Sequence, residues 1–310
     1  MEFLGKSVKQ IQLLANFDAK IVVIDDGSTD GSKEFLHKNL KNLDNVKLFF
    51  TENHGSAAAR NLALKYSDAE FFIFWDIDDE LDLNVLQSMY QHMSRKDIVA
   101  TIANYSINSF NNPIKDSILT DQLKIIEIAE FRDDLLKMLG FWRIMYRTSH
   151  IKKNDIEFHP TFSELNGNYF ILDDVFWLIH FYSSNGKILL LEQDKILYNY
   201  HIDLNPPFKK WVKFLDQAKL FSKASIIFTS RLKRNKSTID LYWYKHAILN
   251  LAEIHLSYLN FTRFIKALPN FIQLLFQTNI STMKVKSFKT IWFFFIKSIK
   301  NSLYRIINLN

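Results

Sequence analysis

The stretch that most narrows the possible folds is Phe71–Glu80, FFIFWDIDDE. Phe71 to Trp75 are all apolar and run directly into Asp76, Asp78, Asp79 and Glu80. A short apolar run without polar alternation predicts a strand buried on both faces, as in parallel α/β sheets. Asp76 and Asp78 are two apart, so on an extended chain both carboxylates point the same way. Carboxylates crowded at the end of a buried strand repel one another unless a cation lies between them. Mg²⁺ or Mn²⁺, held by one or two carboxylates plus a substrate's phosphates, meets that need. A solvated loop in which Asp82 caps a helix from Leu83 to Met93 accounts for the same residues.

The preceding segments repeat the pattern. Leu4, Val8, Ile11 and Leu14 recur at helical spacing, predicting a helix over Phe3 to Leu14. Ile21–Ile24 reads as a buried strand that ends in Asp25-Asp26-Gly27-Ser28-Thr29-Asp30, followed by a helix over Lys33 to Leu40. Val46–Phe50 is a further strand, and Asn53-His54-Gly55-Ser56 turns into an Ala-rich helix over Ala57–Tyr66. Strand, helix and strand at this spacing predict a parallel sheet with right-handed crossovers. Ligands of such sheets sit at the carboxyl ends of the strands, where both acidic clusters fall.

VIDDGSTDGS, ENHGSAAARN and FWDIDD, in this order, resemble the family 2 glycosyltransferases of the GT-A fold. FWRIMYRTSHIKKNDIEFHP (Phe141–Pro160), ILDDVFW (Ile171–Trp177) and ILYNYH (Ile196–His201) are similar to the second half of bacterial capsule and lipopolysaccharide transferases. The resemblance covers roughly residues 1–205. It implies an α/β, Rossmann-like, mainly parallel sheet flanked by helices. It also implies a metal-dependent, inverting transfer from a UDP-sugar to a glycan or lipid-linked glycan. By the same resemblance Asp26 contacts the uracil-ribose part of the donor, and Arg60 lies near the nucleotide, a helix-surface salt bridge being the other reading. Asp76-Ile77-Asp78 matches the D-x-D motif, with Asp78 and Asp79 nearest the Mn²⁺ or Mg²⁺ and the diphosphate. Asp174 matches the general base. Trp142 and Trp177 are candidates either for stacking on sugars or for the core. His201 stands where the family often has Arg. The family's first strand, which precedes the first helix near the sheet centre, has no counterpart in these residues. Its loss leaves unpaired backbone on two neighbours.

Charge bounds the partners. The net charge of +6 is concentrated in the last segment, where Ile254–Asn310 holds eight Lys/Arg and no acids. The rest carries 31 basic against 33 acidic residues, which disfavours a nucleic-acid groove. With no cysteine there is neither a disulfide framework nor a thiolate metal site. No apolar run reaches the roughly 18–20 residues of a membrane span. Pro206-Pro207 closes the strand-bearing part, so the expected organisation is a transferase domain (1–205), a helical region (206–281) and a basic amphipathic tail (282–310). The tail mixes Phe288, Ile291, Trp292, Phe295 and Ile299 with six cations and reads as an interfacial helix. That places the chain in the cytoplasm, on the inner face of the membrane. Two other functions remain open at this level: a sugar nucleotidyltransferase, whose Gly-rich loop is absent, and a non-catalytic membrane-associated scaffold.

Overall fold

The first helix buries the side chains its spacing selects. In a computed structural model, α1 (Glu2–Leu14) turns Leu4, Val8, Ile11 and Leu14 inward. Leu4, Val8 and Ile11 pack with Leu36 and Leu40 of α2 (Ser32–Leu40) over apolar side chains of the first two strands. The structure describes residues 2–14, 19–111, 113, 118–130, 140–158 and 173–201, all within the compact unit Met1–Asp203. The helical region and basic tail expected over 206–310 lie outside the described residues.

Two strands, the first with its acids at the carboxyl end, form the first sheet. β1 (Ile21–Asp26) and β2 (Val46–Thr51) run parallel, with Ile21 opposite Val46 and Asp26 opposite Thr51. α3 (Ser56–Tyr66) packs against β1. β3 (Phe71–Phe72) and β4 (Glu80–Leu81) flank the acidic turn. α4 (Leu83–His92) follows, and the expected cap is present: Asp82 accepts from Asn84 N at 2.9 Å and from Val85 N at 3.0 Å.

Next come β5 (Ile98–Ile102), β6 (Asn104–Ile107), β7 (Lys124–Glu127) and a 3₁₀ turn, Phe141–Arg143. They are followed by β8 (Ile144–Arg147), α5 (Thr148–Lys153), α6 (Asp173–Ser183), β9 (Lys187–Leu190) and β10 (Ile196–Tyr200). A five-stranded sheet has the order β3-β8-β5-β9-β7, and a three-stranded one the order β4-β10-β6.

The α/β class stands, and two details of the expectation are corrected. The sheets are mixed, not mainly parallel. β1–β2, β5–β9 and β6–β10 pair parallel, whereas β3–β8, β5–β8, β7–β9 and β4–β10 pair antiparallel. β8 lies between β3 and β5 and meets both antiparallel. The Phe71 run is also not a strand buried on both faces. Only Phe71 and Phe72 join a ladder, both half-buried, and Phe74 alone of the run is buried. β3 ends its sheet and β1 belongs to another, so among the described strands each keeps one unpaired edge.

Candidate functional site

The acidic stretch is a turn, which corrects the expectation of parallel carboxylates. Asp79 N donates to Asp76 O at 3.1 Å, closing Asp76–Asp79. The acids diverge as a result: Asp76 is half-buried, Asp78 is exposed and Asp79 is buried. α1 clips the turn from one side. Ser7 Oγ donates to Ile77 O, and Gln10 both donates to Leu81 O (2.8 Å) and accepts from Leu81 N (3.3 Å).

β10 supports it from the other side. Leu81 lies opposite Tyr198 and Glu80 opposite Asn199, so the chain beyond Asn199 runs along the acids. Tyr198 Oη accepts from Asp76 N at 3.0 Å, and His201 N donates to Asp79 Oδ1 at 2.8 Å. Asp79 Oδ2 is buried with no hydrogen-bond partner. Burial pushes the Asp79 carboxyl up to about 7; the charges of Asp78 and Asp76 add to this and the His201 amide opposes it.

Asp26 and Arg60 organise the loops beside the acidic turn. Asp26 Oδ1 accepts from Thr51 Oγ1 (3.2 Å) and His54 N (2.9 Å), and Oδ2 accepts from Gly55 N (2.7 Å). Its carboxylate thus fixes the β2–α3 loop. Gly27, at φ +82°, lets the first loop approach this one: a β-carbon there would lie 2.7 Å from Asn53 N. Arg60 Nη2 reaches Asp76 Oδ1 at 3.0 Å and Oδ2 at 3.3 Å, and its guanidinium lies over the Phe141 ring at 4.6 Å. The salt-bridge reading of Arg60 therefore holds, and its partner is a residue of the site.

Asp174 lies in the first turn of α6 and is half-buried. The Tyr200 phenol is raised above its ordinary value by burial first, then by Asp79, Asp78, Asp76 and Asp174. Sequence reasoning missed Tyr198 and Tyr200. Their signal was alternation on one strand, which puts both on one face.

The tryptophans are core. Trp177 is fully buried, stacked on Phe158 at 4.4 Å, and Trp142 packs between Tyr198 (4.2 Å) and Tyr200 (5.4 Å). Both rings are buried, so neither offers an open face to a sugar.

This α/β arrangement, with acids at the end of β1 and in the turn before β4, is that of a GT-A domain. The backbone bears this out: S. aureus TarS 1–349 in complex with UDP-GlcNAc superposes with a TM-score of 0.66. That match has 19% identity and covers 96% of this chain and 86% of that one. The model of glycosyl transferase family 2 matches residues 2–171, and the chain belongs to that family. Glycosyltransferase GlyG of Streptococcus pneumoniae is 26% identical over 64% of this chain and 66% of its own. The poly(ribitol-phosphate) beta-N-acetylglucosaminyltransferase TarP of Staphylococcus aureus is 25% identical over 63% of this chain and 56% of its own. The chain thus spans less than two thirds of the length of these curated relatives. Among the described residues no helix is long and apolar enough to cross a membrane.

Proposed function

We propose that the chain is an inverting, metal-dependent glycosyltransferase that moves a sugar from UDP to a hydroxyl of a bacterial surface glycan. The observation that carries this is the acidic turn Asp76–Asp79, closed by the Asp79 amide, held by His201 N at the end of β10 and carrying a buried Asp79 oxygen without a partner. The UDP-GlcNAc bound by TarS and the acetylglucosaminyl transfer named for TarP support the donor class.

Asp26 and the Asp76–Arg60 pair shape the nucleotide side. The acidic turn fits a divalent ion: Asp79 brings a buried oxygen without a partner, and Asp78 is exposed beside it. Among the described residues no group of three or more His, Cys, Asp or Glu forms a complete cage. Two carboxylates completed by a diphosphate are the usual way such an ion binds a phosphate substrate. Bound there, the ion supplies positive charge against the leaving diphosphate. Asp174 accepts the proton of the acceptor hydroxyl, whose oxygen bonds to the anomeric carbon as the bond from that carbon to the diphosphate breaks. No covalent enzyme intermediate is required, and attack from the opposite face inverts the centre.

The test is UDP release by the full chain from UDP-glucose, UDP-galactose and UDP-N-acetylglucosamine with Mn²⁺. Asp78→Asn should abolish it while leaving the fold intact. Turnover that persists unchanged in EDTA contradicts the metal, and no binding of UDP in Mn²⁺ contradicts the donor. The tail cations Lys284 to Arg305 should hold the chain to anionic vesicles, each contributing about 1 kcal/mol. Deleting 282–310 should release it, and equal binding to neutral vesicles counts against this anchor.

A further inference from the structure

Two adjacent residues of α3 reach two different parts of the site. Arg60 grips Asp76 and lies over the rings of Phe141 (4.6 Å) and Phe158 (5.5 Å). Asn61 grips the main chain of Phe158 in both directions. Its Nδ2 donates to Phe158 O at 2.6 Å, and its Oδ1 accepts from Phe158 N at 2.8 Å. A side-chain amide paired this way does for one residue what a strand neighbour does in a ladder.

Phe158 is fully buried and passes the constraint on. Its ring lies on Trp177 at 4.4 Å, 12° from parallel, and meets Phe74 and Phe141 edge-on at 5.1 and 5.5 Å. Trp177 belongs to α6, three residues after Asp174, so the two share nearly one face of that helix. Phe74 belongs to the run that enters the acidic turn. The Asn61–Phe158 pair therefore sits where the helix carrying the base meets the segment carrying the donor carboxylates.

We propose that Asn61 is a positioning residue. By clamping Phe158 it sets the place of α6, and so of Asp174, relative to Asp76, Asp78 and Asp79. This rests on the transferase reading above. Asn61 touches no reacting atom. Its effect is geometric, and small misplacements of a base far from a mutation can cost on the order of 100-fold in rate.

The experiment compares Asn61→Ala with Asn154→Ala in the full chain. Asn154 is also buried and also donates to a main-chain carbonyl, His150 O at 2.9 Å, but it lies at the end of α5. It serves as the measure of losing a buried amide away from Phe158 and Trp177; its ring contact, His150 Nε2 at 3.5 Å, leads to Ser184 and Phe181 at the far end of α6. The first readout is hydrogen exchange. Asn61→Ala should speed exchange at the Phe158 amide and along α6 from Trp177 to Ser183, with β1 and β2 unchanged. The second is UDP release from the UDP-sugar the wild type turns over. There kcat should fall about 10- to 100-fold with donor KM unchanged, whereas Asn154→Ala lowers Tm with kcat unchanged. An Asn61→Ala variant with wild-type kcat, a kcat loss matched by Asn154→Ala, or unaltered exchange along α6 overturns the proposal. A wild type that releases UDP from none of the sugars refutes the transferase reading instead, and the exchange result alone then decides whether Asn61 holds α6.

Discussion

β1 and β9 are both short, apolar and parallel-paired, yet they live in different surroundings. Ile21, Val22, Val23 and Ile24 of β1 are all half-buried, while Ile188, Leu189 and Leu190 of β9 are almost wholly buried. β1 has one strand neighbour among the described residues and β9 has two. The difference extends to how each half holds the site. Around β1 the loops are fixed by polar bonds to carboxylates, as at Asp26; around β9 the helix with Asp174 is fixed by the stack of Phe158, Trp177 and Phe74. Polar loops can adapt around a nucleotide, whereas a packed aromatic wall gives a base one position.

The contrast breaks most directly under matched truncations. Trp177→Ala removes a fully buried ring and should cost about 3–5 kcal/mol of stability. Val23→Ala in half-buried β1 should cost about 1 kcal/mol. Denaturant titrations check both, and equal losses would show that the two halves are equally packed.

Next in size is the loop contact on the polar side. Gly27→Ala places a β-carbon against Asn53 N at a positive φ and should cost about 1–3 kcal/mol. Because the strain falls on the loop that Asp26 fixes, UDP affinity should drop more than thermal stability does. Calorimetric binding beside melting curves tests this, and unchanged affinity would detach the loop from the nucleotide.

A pH-dependent effect separates the buried acid from its neighbours. Asp79 titrates near 7 in the folded chain against an ordinary 3.8, so the native state holds a proton that the unfolded chain loses first. The stability this gives is full below about pH 4 and is lost as pH rises to about 7. Asp79→Asn abolishes that dependence. In EDTA the variant's Tm should gain on the wild type from pH 4 to pH 8, and a constant difference would place the burial penalty elsewhere.

Much of this was legible in the chain. Helical spacing located α1 and its four buried residues, and Asp82 announced its cap. The acids that follow apolar runs located the candidate site, because polar residues after an apolar run mark where the chain surfaces. Pairing between distant strands was not legible. Nothing in FFIFWDIDDE says that Tyr198 and His201, some 120 residues later, support Asp76 and Asp79. Nor does the sequence separate an extended DID from the turn closed by Asp79 N, since the same polar residues suit both. Trp142 and Trp177 show the same limit: an aromatic beside a site looks alike in sequence whether it meets a ligand or another ring.

The central claim is that Asp174, held by the packed half, acts on an acceptor beside a donor held by the polar half. Replacing Asp174 and Asp173 separately with Asn, and measuring UDP affinity and sugar transfer for each, tests it most directly. The account predicts that Asp174→Asn loses at least about 100-fold in transfer with UDP affinity nearly unchanged. Asp173→Asn should stay active, with stability lower by about 1 kcal/mol if it caps the helix. An inactive Asp173→Asn beside an active Asp174→Asn would contradict the assignment.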